Sequence, residues 1–311
     1  MANRRLCGWQ RNLFIGVVAA VLSVMTSCSL QISHSVEGGI IISARLIGHD
    51  PQRNLNPSQV KALITEPALT YSQVIAQLVK VDRAKLLNLP MPVQFQGKTI
   101  THVQLNPQDK AIKGTATKPI ALTFDDGPWP ATTGQILSVL KQNNVKATFF
   151  AIGKHVQMYP QLIKQAVAEG HAIGNHTWSH DYGSYNEAAA ARELDDTAKL
   201  VYKITGVKTS LFRPPAGILN NGLAAYAGMK KYAVVMWSVD SKDWRYRGNT
   251  SQSLVESVLK DAKPGGIILM HDGGGDRSTT VQALPQIITQ LKKRGYTFVT
   301  VPDLLEMGNG G

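Results

Sequence analysis

Ile120-Ala121-Leu122-Thr123-Phe124-Asp125-Asp126-Gly127-Pro128 is the stretch from which the rest of the chain can be read. A short apolar run closed by a Gly-Pro turn signal is the pattern of a buried strand. The run gives way directly to Asp-Asp-Gly-Pro, so the glycine-rich loop of a nucleotide-binding fold is missing at the place where it would stand. Outward from this run the same rhythm repeats. Strand-like runs fall at 147–152, 171–175, 211–213, 232–239, 266–270 and 297–301, and helical spacing falls between them at 132–143, 160–169, 186–205, 220–228, 251–262 and 279–294. Gly170, Gly206, Gly228 and Gly295 lie at or just after the ends of helical runs, where a C-terminal cap is expected. Alternating strands and helices predict an α/β fold with a parallel sheet and helices packed outside it. The number of strands suits an irregular seven-stranded (β/α) barrel over residues 118–305, with a small N-terminal accessory region before it. An open doubly wound sheet is the alternative.

Polar, potentially reactive residues gather where these strand runs end, which is the rim on which parallel barrels assemble their sites. Asp125 and Asp126 are two adjacent carboxylates after a buried strand, costly unless a cation or hydrogen bonds compensate them. Taken alone, Asp-Asp-Gly is also an ordinary turn. His176 and His180 stand four apart, but Gly174 and Asn175 precede them and favour a loop over a helix. With Asp126 they make a set of two histidines and one aspartate that leaves positions open on a bound metal, as a catalytic ion requires. The double proline after Arg213 stiffens a loop from which the guanidinium could clamp a carboxylate. Asp240-Ser241-Lys242-Asp243-Trp244 and Leu269-Met270-His271-Asp272 close the series, and a lone histidine such as His271 is more often structural.

The ordered set TFDDG (123–127), HTWSH (176–180), RPPAG (213–217), DSKDW (240–244) and LMHD (269–272) resembles the five motifs of the NodB-type polysaccharide deacetylases, carbohydrate esterase family four. The resemblance covers roughly residues 118–305. It implies a hydrolase that removes N-acetyl groups from a polysaccharide, with N-acetylglucosamine units of peptidoglycan or a chitin-like glycan as substrate. It further implies that Asp126, His176 and His180 hold a divalent metal ion, zinc in such enzymes. Asp125 would be the general base, oriented by Arg213, and His271 the general acid, oriented by Asp243. Trp244 and Leu269 would line a pocket for the acetyl methyl. Ala216 stands where the family often carries an aromatic residue; its backbone N–H can still serve the oxyanion, but an aromatic contribution to sugar binding is missing. An acetylxylan-type O-acetyl esterase, a non-catalytic cell-surface glycan-binding protein and a metal amidase acting on a non-sugar amide are the alternatives.

The remaining sequence bears on where the chain works. Its 311 residues carry a net charge of +12, unevenly: residues 1–118 hold 13 Lys and Arg against 5 Asp and Glu, while 119–311 hold 20 against 16. A basic N-terminal part suits a membrane or cell-wall surface. No arginine-rich run interleaved with aromatics supports nucleic acid as a partner. Residues 1–30 read as a targeting segment, with Arg4, Arg5 and Arg11 ahead of an apolar stretch from Leu13 to Met25. Thr26-Ser27-Cys28 resembles a lipobox, although Met25 replaces the usual Leu. Lipidation at Cys28, an uncleaved anchor and ordinary cleavage all stay open, and each implies an exported protein at the membrane, in the periplasm or on the cell surface. Cys7 and Cys28 are the only cysteines, so any metal falls to His, Asp or Glu. Residues 31–117 form an accessory or spacer region, with helix-like spacing at 57–65 and 71–87 and a short hairpin expected over 93–105, turning near Gly97.

Overall fold

A computed structural model of the chain describes residues 28–34, 40–46, 91–105, 118–245 and 248–309. The apolar targeting stretch and the helix-like segments at 57–65 and 71–87 lie outside the described residues. The chain divides into two units, Met1–Val79 and Lys80–Gly311. In the first, β1 (Cys28–His34) and β2 (Ile40–Leu46) pair antiparallel, Cys28 opposite Leu46 and His34 opposite Ile40.

The second unit is organised by the two-residue period of its strands. In β5 (Lys118–Asp125), Ile120, Leu122 and Phe124 join the apolar layer under the helices, while Ala121 belongs to a second cluster on the opposite, interior face. Thr123 and Asp125 share that interior face with Ala121. β11 (Ile267–His271) pairs parallel to β5 and repeats the pattern: Ile268 and Met270 face the helices, Ile267 faces inward, and His271 lies beside Asp125 in the register. β6 (Thr148–Ala151), β7 (Ala172–Asn175), β8 (Leu211–Phe212) and β9 (Ala233–Val235) continue from β5 in that order, all parallel. β10 (Val239–Asp240) flanks β11 on the other side. β12 (Tyr296–Val299) pairs the first half of β5, leaving the second half to β6. The result is a curled, parallel half-barrel, as the strand-helix alternation predicts.

Helices cover its outer face: α1 (Thr133–Gln142), α2 (Gly153–Met158), α3 (Pro160–Ala168), α4 (Glu187–Thr205), α5 (Leu223–Met229), α6 (Ser251–Asp261) and α7 (Ser278–Lys293). Their ends obey local chemistry. Asn186 caps α4 by accepting from Ala189 N–H, and Gly206 ends it at φ +73°, a conformation that costs glycine little.

Three local expectations are corrected. The run 232–239 is two strands, β9 and β10, separated by Met236-Trp237-Ser238. The last strand ends at Val299, because Thr300 caps a further helix, α8 (Val301–Glu306), through a capping box with Asp303. Residues 93–105 form no hairpin. A 3-10 turn at Val93–Phe95 leads to β3 (Thr99–Ile100), which pairs parallel with β9, and β4 (Gln104–Leu105) pairs instead with β13 (Gly308–Asn309). Phe95, Ile100 and Val103 pack with Leu304 and Leu305 of α8 against the interior residues Ala121, Phe150 and Ile267. Each fully buried apolar side chain of this kind contributes about 1.5–3 kcal/mol. The interior is therefore filled below, and its open end is at the strand C-termini.

Candidate active site

The interior register that begins at Ala121 ends, strand by strand, in the polar groups of the rim. Asp125, Arg213 and His271 are delivered this way, and His176 comes directly after β7 with its N–H on Ala151 O at 3.0 Å. Arg213 is wholly buried, and each face of its fork is used. Nη1 donates to Asp125 Oδ1 at 2.7 Å and to Thr123 Oγ1 at 2.8 Å, Nε to Val235 O at 2.9 Å and Nη2 to Met236 O at 3.0 Å. Its guanidinium also lies 4.1 Å from the centre of the Phe150 ring. Burial pushes this guanidinium down, and the Asp125 carboxylate opposes that shift.

Asp126 turns the other way. Its φ of +74° rotates it out of the strand, so that adjacent carboxylates meet different partners. Asp126 Oδ1 lies 3.1 Å from His180 Nε2 and 3.4 Å from His176 Nε2. His176 Nδ1 sits 2.6 Å from Arg213 O, where it can only donate, which leaves a lone pair on Nε2 in the neutral ring. Burial opposes a charge on Asp126, but His176 and His180, with His271 farther off, outweigh it and hold the carboxyl well below its usual range. Burial likewise opposes a charge on His176, and the carboxylates of Asp125 and Asp126 raise it. The three ligand atoms all lie within 4.8 Å of one another. Asp126 Oδ1 is buried with no hydrogen-bond partner, so the set fits a cation.

The loop that carries the histidines is held from behind by Glu193 of α4. Its carboxylate accepts from Trp178 N–H and Ser179 N–H, both at 2.8 Å. Thr177 and His180 adopt positive φ, so the histidine pair is a loop, as the preceding Gly174-Asn175 indicates.

Across the mouth, Asp243 Oδ1 is 2.7 Å from His271 Nδ1, and Asp243 Oδ2 accepts from His271 N–H at 2.8 Å and Thr280 Oγ1 at 2.9 Å. Burial works against a charged His271, but Asp243 prevails, with Asp125 and Asp126 adding to it, and lifts the imidazole to about 9. Burial also opposes ionisation of Asp243, and His271 overcomes it, holding the carboxyl below its ordinary value.

These groups open into one cavity of about 680 Å³. Every residue singled out above for this site contributes to it except Arg213 and Asp243, which lie behind its wall, bonded to Asp125 and His271. Leu269 is buried in the wall, whereas Trp244 is 45% exposed at the rim. Ala216, at φ +51°, is exposed on the same rim. Trp129, His155, Trp237 and Arg277 also line the cavity, and the motifs did not single them out. His155 Nδ1 lies 2.7 Å from Asp126 O. Asp272, quoted only as the end of LMHD, proves to be the fully buried brace of the first loop. It accepts from Gly127 N–H at 3.0 Å and Thr133 Oγ1 at 2.5 Å. Burial raises its carboxyl to about 7, and the nearby Asp125 and Asp126 add to the rise. The signal for it was available: a second carboxylate directly after a buried strand needs partners.

A sequence model described as polysaccharide deacetylase matches residues 112–235. The chain is 47% identical over 191 residues to a peptidoglycan-N-acetylglucosamine deacetylase of Bacillus cereus, spanning 60% of this chain and 88% of that protein. The chain belongs to the polysaccharide deacetylase family. A peptidoglycan-N-acetylmuramic acid deacetylase of Bacillus subtilis is 39% identical over 197 residues, 62% of this chain and 74% of the relative. Among solved structures, that of the Bc1960 peptidoglycan N-acetylglucosamine deacetylase superimposes with a TM-score of 0.61 at 33% identity, covering 70% of this chain and 96% of that one. The structural likeness therefore covers more of the chain than residues 112–235 alone.

Proposed function

We propose that this deacetylase removes N-acetyl groups from N-acetylglucosamine units of peptidoglycan, using a divalent cation, zinc in the first instance, held by Asp126, His176 and His180. The observation that carries this reading is the buried, partnerless Asp126 Oδ1 facing two imidazole nitrogens, in the same cavity as two pre-paired acid-base groups. A bound divalent cation supplies Lewis-acid polarisation of the acetyl carbonyl and lowers the pKa of the attacking water.

The chain's own residues do the rest. Asp125, held by Arg213, receives a proton from that water. The Ala216 N–H donates to the developing oxyanion. His271, kept cationic by Asp243, passes its Nε2 proton to the departing sugar amine. Leu269 and Trp244 receive the acetyl methyl. The Bacillus cereus relative supports the peptidoglycan substrate. Among the described residues no helix is long and apolar enough to cross a membrane. We assign the basic N-terminus and Cys28 to export and surface attachment, with lipidation at Cys28 as the specific form, and the part of 31–117 ahead of residue 91 to a spacer role, since residues 91–105 pack into the floor of the deacetylase unit.

Acetate release from peptidoglycan, chitin oligomers and acetylxylan, measured in parallel before and after chelation and zinc restoration, tests this. Peptidoglycan should lead, and Asp126→Ala should abolish both activity and zinc uptake. Equal release by chelated and zinc-loaded protein, or a clear preference for acetylxylan, would overturn it.

A further inference from the structure

The carbonyls of Asp125, Asp126 and Gly127 are each met by a donor from elsewhere in the chain. Asp272 N–H donates to Asp125 O at 3.0 Å, and Ile152 N–H to Gly127 O at 2.9 Å. Both of these are main-chain donors. The middle carbonyl, Asp126 O, has His155 Nδ1 at 2.7 Å, and among the described residues no other donor reaches it. Facing a carbonyl, that ring nitrogen can only donate. The imidazole also packs edge-on to Trp129, with ring centres 5.1 Å apart.

The carbonyl held in this way belongs to a residue in a costly conformation. Asp126 has φ +74°, the left-handed region that L side chains enter against steric resistance. That turn separates its carboxylate from that of Asp125 and directs it to His176 and His180. Room for the turn is left by the facing loop, where a Cβ at Gly273 would run into Asp126 O. The segment that carries His155 holds the histidine loop as well. Gly153 N–H donates to Thr177 O at 2.9 Å and Lys154 N–H to Trp178 O at 3.1 Å. A Cβ at Gly153 would lie 2.5 Å from the Trp178 ring, so this close approach requires glycine. Ile152, Gly153, Lys154 and His155 thus make one bond each, two to the aspartate loop and two to the histidine loop.

We propose that His155 is a positioning residue for the cation site: through Asp126 O it fixes the turn that aims Asp126 Oδ1 at the two imidazoles. This rests on the reading of Asp126, His176 and His180 as cation ligands. Without the His155 N–H a buried carbonyl loses its donor, and it regains one only by rotation of the Asp126–Gly127 peptide, which carries the carboxylate with it. The flanking carbonyls keep their main-chain donors, so the loss falls on the ligand geometry more than on the fold.

Uptake of zinc by the full chain, measured in competition with a chromophoric chelator, tests this independently of turnover. His155→Asn and His155→Leu have the same shape, and only the first carries an N–H near the place of Nδ1–H. His155→Phe keeps a ring against Trp129 without the donor, and serves as a second donor-free variant if His155→Leu does not fold. Thermal melts of the chelated proteins verify folding, and cobalt absorption spectra report the ligand geometry. His155→Leu and His155→Phe should bind zinc roughly tenfold or more weakly than wild type, the scale of losing a group that orients a metal ligand. Their cobalt bands should differ from those of wild type. His155→Asn should stay within about threefold of wild type and reproduce its cobalt spectrum. Undiminished zinc affinity in a folded donor-free variant overturns the proposal, and so does a His155→Asn as weak as His155→Leu. Wild type that takes up neither metal, or Asp126→Ala that takes up as much as wild type, removes the ligand assignment and the proposal with it. Loss of uptake in Asp126→Ala beside full uptake in the donor-free variants removes the role of His155 alone.

Discussion

Replacing Asp243 with Asn changes one charge in the site and almost no volume. His271 sits at about 9 against an ordinary 6.5, although its burial alone would push it down. At about 1.4 kcal/mol per pH unit, that gap is roughly 3 kcal/mol of preference for the imidazolium, most of it from Asp243. The introduced amide keeps an oxygen for the His271 N–H but loses the charge, so burial is left unopposed except by the more distant Asp125 and Asp126. A pKa raised on folding contributes stability that is complete below 6.5 and is lost as pH rises through about 9. In chelated wild type, denaturant midpoints should therefore fall between pH 6.5 and 9, and in Asp243→Asn this slope should flatten. In the zinc-loaded enzyme the alkaline limb of kcat/KM reports loss of the acid's proton. A nearby dication lowers both limbs, but the limb of the variant should lie at least one pH unit below that of wild type. Coincident alkaline limbs would refute the assignment of His271 as the titrating acid, whatever the absolute activities.

Two further substitutions probe the frame around these groups. Arg213→Met removes the partner of a buried carboxylate and strands the carbonyls of Val235 and Met236, and should cost about 3–5 kcal/mol in denaturant unfolding. Arg213→Lys should recover less than half of this, because one ammonium cannot reach all four acceptors; full recovery would show that charge, not the fork, is what matters there. Gly127→Ala places a methyl 2.0 Å from Asp272 Oδ2, inside the brace of the first loop. It should destabilise by about 1–3 kcal/mol and weaken zinc binding, and unchanged zinc affinity in calorimetry would separate the brace from the metal ligands.

Periodicity made the curled sheet legible, because Ile120, Leu122 and Phe124 on one face and Ala121, Thr123 and Asp125 on the other are set by local alternation alone. What alternation cannot give is the partner. The stretch 93–105 does alternate, but its hydrogen bonds run to Tyr232, Val234 and Met236 on one side and to Gly265 and β13 on the other, all distant in sequence. The break in 232–239 is also imposed from afar. Arg213 takes the carbonyls of Val235 and Met236 for its guanidinium, and the apolar run shows no sign of that demand. The halves of β5 similarly pair with different strands, β12 and then β6, although its own residues look uniform.

Within the site, sequence shows which charged residues are present but not which ones are already satisfied. Asp125 with Arg213 and Asp243 with His271 are closed pairs, and Asp272 is closed by Gly127 and Thr133. Among the described residues one carboxylate oxygen of the cavity wall stays open, Asp126 Oδ1 among the imidazoles, and what completes it is a cation. The closed pairs hold their charges in place, and the one atom left open marks where a ligand has to bring charge of the opposite sign.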